Sequence, residues 1–520
     1  MSTPEGRVLL LNPPLQNPPG QAYKPNASLA YPNLAGALRA HGADVRVYDA
    51  CVGDEGDPFE DTYNKRTPLP SGFERIGVGD ERILNVVADY DIIGISSIFT
   101  DQETMALHCA RIIRAAFPEK IIISGGVNAR SRLNRFFAAG FDAVCLSESE
   151  ATIVEIVEEV RRSARPDFSS IHGIAYVDAG GTTRIRPTRS RDVVWDLDKL
   201  PMPAWDLMAN DRYWKIARPH SGVFEQGAEL RYAQMMTSLG CPFHCSYCHI
   251  AGEQEGSLSG PTGKFRIKSD DRVLDEIAML KGLGVENIFI EDDSLLGDKK
   301  RGLRLLRKIQ GAGMNICDLN GINIIHLLKR WKADHEILEA LAGAGFTQIN
   351  LPFETGNLRI MRKYASNKLN IEKADIESLI VAMKQYGIKI YGNYMIGYPD
   401  ETLEEIETTI ETAKKHMSYG LDAVHFFIVV PLPGSPLYDA AVAGGHFNED
   451  FDPDQMNIFR ANMSNTAVPP HVLEEIRNRA WHEVNNMDFK SKKRKLSPEW
   501  SVGPEVNPNA TVAAATIEHR

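Results

Sequence analysis

The sequence has no apolar run near the roughly 20 residues that a bilayer-spanning helix needs. Its first apolar stretch, Val8 to Leu11, stops at Asn12-Pro13-Pro14. It reads as a buried strand and not as a secretory leader, so no membrane partner is expected and a reducing cytoplasm is the expected compartment. Cysteine is scarce: seven in 520 residues, too few for a disulfide framework. Positive charge is in deficit. With 58 Lys and Arg against 69 Asp and Glu, the net charge is −11. The overall field repels nucleic acid, so no nucleic-acid partner is expected.

What is present is the composition of a globular protein, 43% hydrophobic and 24% charged, on a length of about three or four domains. Residues 1–165 alternate strand and helix patterns. Apolar runs at 7–12, 45–48, 90–97, 120–124 and 142–146 are separated by helical spacing at 29–41, up to Arg114, and from Ala151. Continuous apolar strands between amphipathic helices predict a doubly wound parallel α/β sheet. Ligands in such sheets bind beyond the carboxyl ends of the strands. The turns there are Asn12-Pro13-Pro14, Ser96-Ser97, Gly125-Gly126 and Ser147-Glu148-Ser149-Glu150, rich in small residues that let a cofactor approach.

Residues 166–232 read as a connector, with a hairpin over 173–186 and an extended strap at Leu200-Pro201-Met202-Pro203-Ala204-Trp205. A second βα series fills 233–440. Strands are expected at 234–238, 287–290, 348–352, 389–395 and 423–430, and helices at 270–281, 374–386 and 404–417. Five or six such units predict a full or partial (β/α) barrel. A small C-terminal region follows over 441–500. It includes the basic run Lys490 to Lys495, which reads as a solvated segment, and 501–520 is expected to be a disordered tail.

Three of the seven cysteines fall within eight residues, in Ser238-Leu239-Gly240-Cys241-Pro242-Phe243-His244-Cys245-Ser246-Tyr247-Cys248-His249. The spacing is Cys-x3-Cys-x2-Cys, directly after the first strand of the second series. Three thiolates on one short loop suit three irons of a cubane cluster and leave the fourth iron open. One alternative is a structural zinc ion shared with His244 or His249, although such sites usually draw on two separated pairs. Three chance-buried thiols are a poorer reading for a loop of Gly, Pro and Ser.

The loop, with Tyr247 before its last cysteine, resembles the radical S-adenosylmethionine (SAM) superfamily. Further segments match in order over roughly 234–440. They are Phe289-Ile290-Glu291-Asp292-Asp293, Leu351-Pro352-Phe353-Glu354-Thr355-Gly356, Met395-Ile396-Gly397-Tyr398-Pro399-Asp400-Glu401-Thr402 and Val430-Pro431-Leu432-Pro433-Gly434-Ser435-Pro436. The N-terminal half, with Ser96-Ser97, Gly125-Gly126, Ser147 to Glu150 and the Pro-Met-Pro-Ala-Trp strap, is similar to the cobalamin-binding domain of cobalamin-dependent members. It departs from that pattern in two ways. There is no Asp-x-His-x-x-Gly, and Ser147 and Ser149 stand where glycines are frequent. The resemblance implies a [4Fe-4S] cluster on Cys241, Cys245 and Cys248, with S-adenosylmethionine and cobalamin as further cofactors. It also implies SAM contacts at Tyr247, Asp292, Glu354 and Thr355, and cobalamin contacts at Ser96, Ser97, Gly125, Gly126 and Glu148.

The activity implied is methylation of an unactivated carbon of a small metabolite or natural-product intermediate, through a 5′-deoxyadenosyl radical and methylcobalamin. Electrons would come from an external flavodoxin- or ferredoxin-type donor. A cyclase or rearrangement enzyme using cobalamin without methyl transfer is the alternative within the superfamily. A methylthio-transferring tRNA enzyme should carry three more clustered cysteines and a basic domain, whereas Cys51, Cys109 and Cys145 are scattered. A non-enzymatic cluster scaffold or electron carrier is the remaining reading. His244, His249, Asn393 and Tyr394 are candidates to face the cavity, and no acid–base pair stands out.

Overall fold

A computed structural model describes residues 5–19, 28–163, 165–216, 229–447 and 456–485. The basic run at 490–495 and the expected tail lie outside them.

The first sheet is built from the strands Val8–Asn12, Val45–Asp49, Ile92–Ser96, Ile121–Gly125 and Ala143–Cys145, all parallel where they pair. Their side chains alternate between two apolar layers. Leu9, Leu11, Ile93 and Ile95 pack with Ile83, Val87, Ala110 and Ile113, from the helices Asp80–Val87 and Glu103–Ala116. Val8, Leu10 and Ile92 pack with Ala35, Leu38, Ile153 and Val157, from Ala30–Ala40 and Glu150–Arg162. Both faces of each strand are therefore withdrawn from water, at about 2 kcal/mol for each large aliphatic side chain. That is why these strands read as unbroken apolar runs.

The hairpin expected in the connector forms as Ile174–Val177 and Thr183–Arg186, but it is not separate. Ile174–Val177 pairs antiparallel with Ala143–Cys145, so the first sheet runs on to seven strands. Buried Ile174 and Tyr176 give that hairpin an apolar side that the sheet edge covers. Among the parallel strands the order reverses between Val8–Asn12 and Ile92–Ser96. The crevice at such a reversal is where ligands of open α/β sheets sit. The sequence reading missed a small antiparallel sheet of Leu15–Asn17, Arg66–Pro68 and Glu74–Ile76. Each strand has three residues and no alternation long enough to register.

The second sheet has six parallel strands: Tyr232–Met235, Asn287–Ile290, Asn315–Asp318, Phe346–Glu354, Lys389–Ile396 and Ala423–Ile428. Its two outer strands do not pair, so it is an open, partial barrel. Pro470–Val484 covers the last strand, where Arg477 Nε donates to Phe426 O (3.0 Å) and the Asn485 side chain bonds both N and O of Val424. Among the described residues no helix is long and apolar enough to cross a membrane.

The strap at 200–205 lies on the helix Ala30–Ala40. Ala204 N donates to Pro32 O (2.8 Å), and a methyl group on Gly36 would stand 2.3 Å from Met202 O. Only glycine admits that approach. Gly36→Ala is expected to lower stability by about 1–3 kcal/mol, as overpacking against backbone does. Urea unfolding checks this, and an unchanged midpoint would mean that the strap yields freely.

Candidate active site

The cysteine loop leaves the carboxyl end of Tyr232–Met235, and one buried carboxylate ties down its start. Asp292, 1% exposed, accepts from Thr237 N (2.6 Å), Thr237 Oγ1 (2.7 Å) and Ser238 Oγ (2.5 Å). Buried Arg301 donates to Thr237 Oγ1 (2.9 Å), Thr237 O (3.0 Å) and Lys268 O (2.9 Å). Asp293, lifted by burial to about 6, accepts from Gly240 N (2.8 Å). The far side of the loop rests on the helix Leu358–Tyr364 and the turn after it. Ser246 N donates to Tyr364 O (2.8 Å), and His244 N donates to Ser366 Oγ (3.1 Å).

Cys245 is buried, and Cys241 and Cys248 are partly so. Burial pushes Cys241 up to about 11 and Cys248 to about 12, and the thiols raise one another further. Burial also raises Cys245, while the Lys368 ammonium pulls Cys241 and Cys245 down. Metal ligation by these groups therefore releases protons. Lys368 is a residue the sequence reading did not single out. Its Nζ, on a side chain only 9% exposed, donates to Glu354 Oε1 (2.5 Å). Glu354 ends its strand at φ +63°, a left-handed conformation that costs a non-glycine residue about 1 kcal/mol or more.

Among the described residues no three Cys, His, Asp or Glu side chains are placed to share one metal ion.

The other expected site residues fall into two groups. Tyr247 lies in the loop with its ring 6.2 Å from that of Tyr398, which stacks on Tyr364 at 4.4 Å. Ser96, Gly125 and Gly126 form a partly accessible rim on the first sheet. Gly126, at φ +104°, brings its Cα side so close to Ser97 O that a methyl group would stand at 2.4 Å. The rest are occupied by the protein itself. Asp292 is spent on Thr237 and Ser238. Thr355, 2% exposed, shares a hydrogen bond with Thr409 Oγ1 (3.0 Å) and accepts from Asn357 N (3.0 Å). Ser97 Oγ accepts from Asn128 Nδ2 (2.9 Å), and Glu148 pairs with Arg266. Tyr394 does not face the cavity: it is fully buried and its hydroxyl shares a hydrogen bond with His416 Nδ1 (2.6 Å). Asn393 is half-buried beside His425 (3.3 Å).

The molecule thus has two αβ sheets, the second an open barrel with a three-thiol loop after its first strand. Residues 235–413 match the model of the radical SAM superfamily. That segment is a radical SAM domain. Cytidylyl-2-hydroxyethylphosphonate methyltransferase of Streptomyces wedmorensis is 26% identical over 477 residues, which are 84% of this chain and 82% of that protein. The radical SAM methyltransferase TsrM of Kitasatospora setae has the same two-part fold, with a TM-score of 0.61 at 16% identity. Its structure with tryptophan and a SAM analogue matches 84% of this chain and 76% of that one. Its structure with cobalamin and a [4Fe-4S] cluster matches 87% and 80%.

The Gly397 to Thr402 turn supports Tyr247 through Tyr398, and it carries a titration of its own. Glu401, fully buried, accepts from Gly397 N (2.6 Å) and Tyr398 N (3.2 Å). Burial lifts it from the ordinary 4.5 to about 8. Between those values the unfolded chain has lost a proton that the folded chain keeps, so stability falls as pH rises. Glu401→Gln removes this slope. Relative to wild type it should gain about 3.5 kcal/mol between pH 5 and pH 8, read by denaturant titration at both. A parallel pH dependence in the two proteins would refute the assignment.

Proposed function

We propose that the protein is a cobalamin-dependent radical SAM methyltransferase acting on an unactivated carbon of a small molecule. The observation that carries this reading is the meeting of two carboxyl ends. The three-thiol loop at the end of Tyr232–Met235 and its following segment face the loops at the end of the first sheet, joined by the ion pairs Arg130–Glu253 and Glu148–Arg266. A site between two αβ units suits two large cofactors and a substrate. The S. wedmorensis relative is named for a nucleotidyl phosphonate, and TsrM was solved with tryptophan, cobalamin and a [4Fe-4S] cluster. Those names support a small-molecule substrate and this cofactor set.

In this reading Cys241, Cys245 and Cys248 would hold the [4Fe-4S] cluster, which would bind S-adenosylmethionine and supply the electron for its cleavage. Glu354 takes the ribose, which requires Lys368 to release it. The backbone around Tyr247 meets the adenine. Ser96, Gly125 and Gly126 offer the rim for cobalamin, with Ser97 fixed behind them. When bound, these groups supply reductive SAM cleavage and a methyl carrier, and the chain supplies geometry and exclusion of water. Lys368, held against Glu354 and acting on Cys241 and Cys245, keeps positive charge beside the thiolates. The electron comes from an external flavodoxin- or ferredoxin-type donor.

Anaerobic incubation with cobalamin and S-adenosylmethionine should yield S-adenosylhomocysteine and 5′-deoxyadenosine in equal amounts. 5′-Deoxyadenosine alone would replace methylation with the cyclase reading. The variant with Cys241, Cys245 and Cys248 all changed to Ala should lose SAM cleavage and the brown iron–sulfur spectrum while still binding cobalamin. Retained cleavage would falsify the cluster assignment.

A further inference from the structure

Two ion pairs, both largely withdrawn from water, cross from the loops of the first sheet to the segment flanking the cysteines. Arg130 lies on Val127–Ser131, the short helix directly after Gly125-Gly126. Its guanidinium pairs with Glu253, each side chain 12% exposed, and it also donates to Leu146 O (3.3 Å) in its own domain. Glu253 Oε1 lies 3.1 Å from Nδ1 of His249, the residue after Cys248, and Oε2 accepts from Thr262 Oγ1 (3.4 Å). Although burial alone would raise it, His249 and Arg130 hold the Glu253 carboxyl down to about 2.

The second pair is Glu148 with Arg266. Arg266, 3% exposed, grips both carboxylate oxygens (Nη1 to Oε2, 2.8 Å) and donates to Val194 O (3.0 Å) and Thr262 O (2.8 Å). Arg266 sits opposite Leu239 in a two-stranded ladder, Ser238 pairing with Ile267. One pair therefore holds the entrance of the cysteine loop and the other its exit. An exposed ion pair would restrain little. A buried charge stranded without its partner is costly, so separating the domains here takes the opposite charge from Arg130, Glu148 and Arg266 and leaves Glu253 with His249.

We infer that Arg130–Glu253 and Glu148–Arg266 form a two-point clamp that sets the separation between the Gly125-Gly126 rim and the cysteine loop. Resting on the function proposed above, the clamp also fixes how far a methyl carrier on the rim stands from the substrate radical. Arg130 and Glu253 are positioning residues. Reaction geometry tolerates little error, and about 1 Å of misplacement can cost 100-fold. A radical formed at the wrong distance is not methylated, so SAM is consumed without product.

Two measurements on the full-length chain test this. The first is hydrogen exchange without cofactors. Arg130→Met, and the volume-conserving Glu253→Gln, should speed exchange at 126–132 and 249–263 by about threefold or more, as local opening becomes easier, and leave 389–396 unchanged. The charge swap Arg130→Glu with Glu253→Arg should restore wild-type exchange. The second is product analysis of the reconstituted enzyme. In both single variants 5′-deoxyadenosine per methylated product should rise about threefold or more, while its own rate of formation stays within about twofold. The swap should bring the ratio back. Unaltered exchange in both variants would overturn the clamp, and so would a fall of both products at a fixed ratio. If the wild-type protein makes no S-adenosylhomocysteine, the methyltransferase reading falls and the exchange result alone decides the clamp.

Discussion

One buried carboxylate decides where the cysteine loop begins. Asp292 collects three donors from Thr237 and Ser238, and Arg301 closes the knot from the other side through Thr237 Oγ1 and two carbonyls. Burial drives the Asp292 carboxyl towards its neutral form, and its donors, with the nearby guanidinium of Arg301, oppose that. A charged group so enclosed is stable only while every partner is present, and losing one exposes the full desolvation penalty. The position of Gly240, and therefore of Cys241, Cys245 and Cys248, follows from this knot and from Asp293 beside it. A loop of Gly, Pro and Ser has no conformational preference strong enough to place three thiols by itself.

The first sheet faces this loop with a rim that is also held from below. Asn128 donates to Ser97 Oγ and to Glu103 Oε2 (2.9 Å each), and fully buried Glu103 pairs with Arg132 (2.8 Å) and Arg135 (2.5 Å). This network joins the turn after Ile92–Ser96 to the helix after Ile121–Gly125. Gly126 then lets the two backbones approach closely. The rim is thus a rigid platform of small residues, and Arg130 and Glu148 extend from its neighbourhood to the cysteine segment. Rigidity on each side is what gives two ion pairs leverage over a distance.

The strands of both sheets were legible because burial on two faces writes a continuous apolar run, as in Val8–Asn12 and Asn287–Ile290. Asn315–Asp318 was missed for the converse reason: only Ile316 and Cys317 are apolar, and Asn and Asp flank them. The cysteine loop was legible because metal chemistry fixes residue type and spacing locally. Partner choice was not. Glu148 and Arg266 are 118 residues apart, and Arg130 and Glu253 are 123 apart. No spacing rule reaches that far, so Glu148 read as a cofactor contact and its partner went unnoticed. Asp292 likewise read as a ligand because its acidic motif is visible and its buried donors are not. Lys368 follows Glu354 by 14 residues, and a lysine at that distance on a loop carries no pattern of its own.

Lys368 also explains why the thiol loop is an incomplete structure in electrostatic terms. Burial raises all three thiols, and Asp293 adds to the rise at Cys241 and Cys248, as Glu354 does at Cys245. Against this stand the Lys368 ammonium, already engaged by Glu354, at Cys241 and Cys245, and hydrogen bonds from the backbone of Phe243 to Cys241, from Tyr247 to Cys245 and from the backbone of Ile250 to Cys248. Ionising three thiols in such surroundings would place several negative charges around a single positive one, which a low-dielectric pocket does not tolerate. The arrangement becomes balanced only when a cationic centre sits among the sulfurs. Lys368 thus holds the Glu354 carboxylate by a direct ion pair and acts on Cys241 and Cys245 through space.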